Sequence, residues 1–296
     1  MNLFHLRRLL VVLVGFLLAA CAAPPTPPPI ALPQARPAPR IALVLGGGAA
    51  RGFAHVGVIK ALEAQGIVPD IIVGTSAGAV VGALYAAGHS GLELHDQVLK
   101  LEETQFFDWS LPDRGLLKGE ALQSFVNQAV AYRPLEKFGK VLAVVATDLQ
   151  SGEAVVFRTG NTGMAVRASS SVPGLFQPVA INGREYVDGG LVSPVPVHIA
   201  RSLGADFVIA VDISAKPQHG RTNSTIDVLL QTFSIMAQSI SRHELPVADI
   251  VIRPQTSILS STDGKDRHLA VLEGEKAAAL IMTELKTRLT KLREAR

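Results

Sequence analysis

Three short stretches hold residues whose type and spacing could do chemistry. In Gly74-Thr75-Ser76-Ala77-Gly78 a serine stands between two glycines, directly after an apolar run and directly before a helix-like one. Flanking glycines permit a tight turn that lifts a serine hydroxyl above a sheet edge, the arrangement of a nucleophile elbow. A serine at a helix start also serves as a simple N-cap, but that role leaves the two glycines unexplained. A serine nucleophile needs a group to take its proton. Asp188, in Val187-Asp188-Gly189-Gly190, is a carboxylate at a strand end near the same sheet edge and a candidate for that task. An Asp-Gly-Gly also serves as an ordinary turn.

The third stretch is Gly46-Gly47-Gly48-Ala49-Ala50-Arg51-Gly52. Small residues at a helix start let backbone N–H groups turn toward an anion. A Walker A phosphate loop is excluded, because Gly-Lys-Ser/Thr is missing. A dinucleotide loop ending at Gly52 would have Ala49 in place of its middle glycine, and Asp70 opens the second strand where an acid should close it. An oxyanion hole asks only for amide donors aimed at developing charge. A purely structural glycine turn also fits this loop taken alone.

These stretches need elements to hold them. Ile41–Leu45 is a short, wholly apolar run of the kind buried on both faces of a parallel sheet. A helix is expected over 52–65 with Gly66 as its stop, a strand over 71–73, and a helix over 79–87 ended by Gly88. Later strands are expected at 141–146, 154–157 and 207–211, and helices at 120–130, 196–203, 226–243 and 269–292. Strand-helix alternation argues for one α/β domain of three layers, α/β/α.

With these elements in place, the chain resembles the patatin-like phospholipases, particularly their bacterial members. The resemblance is carried by Gly-Gly-Gly-x-x-Arg-Gly, Gly-x-Ser-x-Gly and Asp-Gly-Gly in that order. It continues through Gly52-Phe-Ala-His-Val-Gly-Val-Ile59, Ala146-Thr-Asp-Leu149, Arg167-Ala-Ser-Ser-Ser-Val-Pro-Gly174 and Gly204-Ala-Asp206. It implies a three-layer patatin-like fold with a mostly parallel central sheet, and hydrolysis of acyl esters by a Ser-Asp dyad without a catalytic histidine. By position Ser76 is then the nucleophile and Asp188 the base. Gly47, Gly48 and Ala49 form the oxyanion loop, with the amides of Gly48 and Ala49 as donors and Gly47 as its turn. Arg51, Gly52, Gly74, Gly78 and Gly189 support the motifs, Arg51 as a positioning charge or in a structural ion pair. Ala49 departs from the bacterial pattern, which usually has glycine there; a positive φ at this position would strain alanine by about 1 kcal/mol or more. The resemblance implies no organic cofactor and no metal, and no His/carboxylate motif has ligand spacing.

Two rivals stand beside this reading. One is a conventional Ser-His-Asp hydrolase drawing on His55, His89, His95, His198, His219, His243 or His268. The other is a catalytically silent lipoprotein that binds lipid or a partner.

Composition sets the remaining bounds. The chain has 296 residues, 48% hydrophobic and 18% charged, enough for one sizeable core. Residues 1–20 carry Arg7 and Arg8 and no acid, so the remainder has 26 basic against 25 acidic residues, from 28 − 2 and 25. That balance gives no footing for nucleic acid. The only cysteine is Cys21, which excludes disulfides and cysteine-based metal sites within the chain. A basic start, an apolar run over 9–18 and Leu18-Ala19-Ala20-Cys21 resemble the signal peptide and lipobox of an exported bacterial lipoprotein. Lipid on Cys21 would then hold the protein to an envelope membrane.

Residues 21–40 are expected to be a Pro/Ala-rich tether, of which Pro24 to Arg40 would reach roughly 55 Å at about 3.1 Å per residue. The catalytic domain is expected at 41–214, with 215–296 packing on it as a helical and strand extension. Phe106, Phe107, Trp109, Leu111, Leu116 and Leu117 cluster apolar bulk, and Ile226, Leu229, Leu230, Phe233, Met236 and Ile240 form a stripe at helical spacing. The ordinary expectation for both is core; the sharper one is a groove or lid for a lipid chain.

Overall fold

The computed structural model describes residues 38–100, 108, 114–220, 222–256 and 266–295. The lipobox, nearly all of the tether, and Phe106, Phe107, Trp109 and Leu111 lie outside the described residues. The chain from Ala38 onward forms one unit. Its first half runs β1 (Ile41–Leu45), α1 (Phe53–Glu63), β2 (Ile71–Thr75), α2 (Ala77–Ala86), α3 (Gly91–Lys100), β3 (Gly115–Leu117), α4 (Glu120–Ala129), β4 (Val141–Asp148) and β5 (Ala154–Phe157). There follow α5 (Thr162–Ser169), β6 (Gly174–Phe176), β7 (Val179–Ile181), β8 (Arg184–Asp188), α6 (Val197–Ser202), β9 (Phe207–Val211), α7 (Thr225–Glu244), β10 (Ile250–Ile252) and α8 (Asp266–Glu294).

The main sheet has the order β10-β9-β1-β2-β4-β8-β7, with β5 on the other edge of β4. From β10 to β4 every pairing is parallel. Alternation of side chains along the strands feeds two cores. Leu43, Leu45, Ile72, Val144 and Ile209 face one core, walled by α1 to α5 and α8. Ala42, Val44, Val73, Val145 and Ala210 face the other, smaller core, closed by α6 and Leu245. The result is a three-layer α/β/α fold with a mostly parallel sheet. The wholly apolar strands follow from this burial on both faces, since neither face leaves room for a polar side chain.

Residues after 214 join the same structure. β10 pairs with β9, and α8 packs along α1 through Val271, Ala278 and Leu285. α7 departs from the expectation that its stripe is core. Ile226, Leu229, Leu230 and Met236 are exposed, and only Ser241 and Glu244 of the helix are buried. The apolar spacing is real but faces outward and into a cavity, which periodicity alone does not distinguish from a core face. Leu117 did go to the interior, in β3. Among the described residues no helix is long and apolar enough to cross a membrane.

Candidate active site

Register brings Ser76 and Asp188 together. β2 and β5 pair with overlapping parts of β4 and must take opposite edges; β8 overlaps β5 and therefore shares the edge of β2. β2 ends there with Thr75 opposite Val145, and β8, running the other way, ends with Asp188 opposite Ala146. Two strands thus meet head to head on consecutive residues of β4. The residue after Thr75 is Ser76.

Ser76 occupies φ 52° and ψ −122°, and its hydroxyl caps nothing at the start of α2. That removes the N-cap explanation and leaves the strained turn of an elbow, a conformation costing about 1–3 kcal/mol. The backbone holds it from several sides. Ser76 N–H donates to Ser169 Oγ at 2.9 Å. Ser169 Oγ–H donates to Val145 O at 2.5 Å. Thr75 Oγ1–H donates to Ser193 O at 2.8 Å. Gly78 must be glycine, since a Cβ there would lie 2.0 Å from Leu45 O.

Asp188 is buried, and the Ser76 hydroxyl is near enough to pull the pKa of its carboxyl downward. Its Oδ1 accepts from Gly190 N–H at 2.7 Å, so the turn role and the proximity to serine coexist. Asp188 O accepts from Thr147 Oγ1 at 2.8 Å. Gly189 follows because a Cβ would meet Val145 O at 2.2 Å. Burial raises the Asp188 carboxyl to about 6, against the opposing pull of Ser76 and the Gly190 amide.

The glycine-rich loop lies against this pair. A Cβ on Gly47 would sit 3.4 Å from Ser76 Cβ. The Gly47 N–H donates to Pro194 O at 3.0 Å, so Gly47 shapes the loop and its amide is not free to bind substrate. The Gly48 and Ala49 amides have no acceptor among the described residues. Ala49 has φ 51°, the conformation in which an alanine is strained. Arg51 Nε donates to Ile213 O at 2.9 Å; burial lowers the guanidinium pKa, with Asp212 opposing. Gly52 ends the short 3-10 turn that leads into α1, and Gly74 lies in β2.

Sequence reasoning gave no role to Thr75, Ser169, Ser193 or Glu244; Ser169 was visible only as part of the Arg167–Gly174 stretch. His55 is fully buried, with Nε2 donating to Gly46 O at 2.8 Å. Burial lowers its pKa to about 4, so the ring is neutral and braces the loop. No histidine lines the cavity at Ser76 among the described residues. No group of three or more histidines, cysteines or acids there has the proximity of a metal site.

That cavity encloses about 1840 Å³. Ser76, Asp188 and the loop 47–52 line it, together with Leu84, Phe125, Phe176 and, from α7, Leu230 and Phe233.

A strained serine after the second strand of the central sheet, beside a glycine loop and a buried carboxylate, defines a three-layer α/β protein built around a serine elbow. The family described as patatin-like phospholipase matches residues 43–201, more than half of the chain, and the chain belongs to that family. It is similar to an uncharacterized NTE family protein of Mycobacterium tuberculosis (strain ATCC 25618 / H37Rv), 35% identical over 205 residues, 69% of this chain and 57% of the relative. It is also similar to patatin-like phospholipase domain-containing protein 6 of Homo sapiens, 33% identical over 186 residues, 60% of this chain and 14% of that protein. The chain thus spans little more than half of one relative and a small part of the other. The crystal structure of VipD from Legionella pneumophila shares the fold, with TM-score 0.56 and 14% identity over 84% of this chain and 68% of that one.

Proposed function

We propose that this protein is a serine hydrolase of acyl esters, of phospholipase, lysophospholipase or esterase type, with Ser76 as nucleophile and Asp188 as base. The observation that carries the reading is the strand register that sets the strained Ser76 turn beside the buried carboxyl of Asp188. A carboxylate of ordinary pKa near 4 is a weak base; one near 6 is still ionised at neutral pH and takes a proton more readily. Family membership supports the same reading.

Ser76 Oγ attacks the ester carbonyl carbon while its proton passes to Asp188. The carbonyl oxygen becomes an oxyanion, which the Gly48 and Ala49 N–H groups receive. Collapse of the tetrahedral intermediate breaks the bond to the alcohol, which leaves with the proton from Asp188. A water then attacks the acyl-Ser76 carbonyl, giving its proton to Asp188; expulsion of Ser76 Oγ returns that proton to the serine and frees the carboxylic acid. The cavity's apolar side chains suit an acyl chain. The exposed apolar face of α7 beside it suits a lipid surface.

We place the protein on the periplasmic side of a bacterial envelope membrane, tethered by lipid on Cys21, on the sequence signal alone. Wild-type protein should react with a fluorophosphonate and Ser76→Ala should not. Absence of labelling and of ester hydrolysis in folded wild type would leave a silent lipid-binding lipoprotein instead. Cys21→Ser should abolish lipid attachment; a wild-type protein processed at another residue and free of membranes would overturn the anchoring.

A further inference from the structure

Glu244 is the last residue of α7, directly after Arg242 and His243. A helix C-terminus favours cations, and the two neighbours conform where Glu244 does not. It is also buried. A carboxylate so placed loses hydration and opposes the helix dipole, so its retention calls for donors that need it.

Those donors lie on the segment that follows Asp188. Ser193 Oγ–H donates to Glu244 Oε1. Val195 N–H donates to Oε2 at 3.1 Å. Between them, Pro194 has no N–H to offer. Two carbonyls of the segment reach the catalytic loops. Ser193 O takes the Thr75 hydroxyl at 2.8 Å, one residue before Ser76. Pro194 O takes the Gly47 amide at 3.0 Å, one residue before Gly48. The packing is equally close, since a Cβ on Gly46 would lie 3.0 Å from Val195 Cγ2 and 3.2 Å from Pro194 O. One strap therefore holds the serine turn and the glycine loop, and Glu244 clamps the strap at both ends.

We propose that Glu244 is a positioning residue that, by clamping Ser193–Val195, sets the spacing between the Gly48 and Ala49 amides and Ser76 Oγ. The inference rests on the hydrolase reading above. An oxyanion hole works only within about 0.5 Å of its productive geometry. A displaced loop would spare substrate binding in the apolar cavity and weaken bonds made to the transition state, so the effect belongs in kcat. Burial pushes the Glu244 carboxyl up to about 7, against its bonds to Ser193 and Val195, which fits a site where the acceptors' shape matters more than their charge.

Glutamine can reproduce both contacts by accepting from Val195 N–H and donating to Ser193 Oγ. The test compares wild type, Ser76→Ala, Glu244→Ala, Glu244→Gln, Ser193→Ala and the Glu244→Ala/Ser193→Ala double variant. Each is assayed with a short p-nitrophenyl ester and with a fluorophosphonate, and its fold is checked by thermal melting. Glu244→Ala should lower kcat and the labelling rate by about 10- to 100-fold, with KM within about twofold. Glu244→Gln should recover most of that loss, and the double variant should be no slower than Glu244→Ala. If Glu244→Ala fails to fold, Ser193→Ala and Glu244→Gln carry the test, the first slowed in kcat and the second near wild type. A folded Glu244→Ala or Ser193→Ala with unchanged kcat, or a loss confined to KM, overturns the proposal. Wild type without Ser76-dependent turnover overturns the hydrolase reading itself, a result separable from the others.

Discussion

Ala49 and Ser76 share one backbone angle, φ 51° and φ 52°, on two loops packed against each other. Both are non-glycine residues in the left-handed region, where strain persists only if the surroundings impose it. For Ser76 the strain aims the hydroxyl, and no glycine can replace it. For Ala49 only the backbone N–H has a proposed use, so its side chain contributes strain without a task. Ala49→Gly should release about 1 kcal/mol of strain, less about 0.5 kcal/mol for the freedom glycine gains when unfolded. The denaturation midpoint should rise slightly at constant m-value, with activity equal or higher. A lower urea midpoint would show that the Ala49 methyl has a packing role.

The buried Asp188 gives a stability difference with a definite sign. Its folded pKa of about 6 lies above the ordinary 3.8, so the folded state favours the protonated acid. Its contribution is present below pH 4 and is lost as pH rises through 6. Asp188→Asn cannot ionise and keeps an acceptor for Gly190. At pH 8 the variant should be more stable than wild type by on the order of 3 kcal/mol, the gap closing toward pH 4. Chemical denaturation at several pH values measures this, and a gap independent of pH would remove the raised pKa.

Much of this site was legible because its constraints are local. The elbow glycines, the Asp-Gly-Gly turn and the wholly apolar strands β1 and β9 each declare themselves within five residues. What lay hidden was set by distant partners. Strand β8 was legible only at its end, Asp188; Arg-Glu-Tyr-Val-Asp is too polar for a core strand, because its first residues are on the surface and only Tyr186, Val187 and Asp188 are buried. α5 was missed although Asn161 caps it by accepting from Met164 N–H, since Gly163 in its first turn reads as a breaker. Glu244 carries one local sign, an acid where a helix end favours a base. The direction in which the α7 stripe faces is a tertiary fact that its spacing cannot contain.

His55 separates the dyad from a triad. Its ring is neutral and its Nε2 proton is committed to Gly46 O, so it braces the glycine loop without exchanging protons with Ser76. His55→Ala should cost roughly 2–4 kcal/mol of stability through the lost bond and the cavity left behind. At a temperature where it remains folded, its rate should still rise with pH through a midpoint near 6, the signature of Asp188. A His55 variant that folds yet loses activity as fully as Ser76→Ala would establish the imidazole as the base.

The cavity walls make chain length the last measurable consequence. Phe125 on α4 and Phe233 on α7 are half-buried and line the cavity that holds Ser76. Neither takes part in the proposed proton transfer, so removing one should leave a short acyl ester nearly unaffected. A long chain covers more of these rings; losing that burial costs about 1–2 kcal/mol at roughly 25 cal/mol per Å². Phe125→Ala and Phe233→Ala should therefore lower kcat/KM for a long-chain p-nitrophenyl ester about 5- to 30-fold, and for a butyrate-length ester by less than about twofold. The difference is read within one variant, so a general loss of folded protein cancels from the ratio. If one variant alone alters the chain-length profile, the acyl chain lies along that wall only. Equal loss on short and long esters for both variants would show that the rings support the catalytic loops and do not contact the chain.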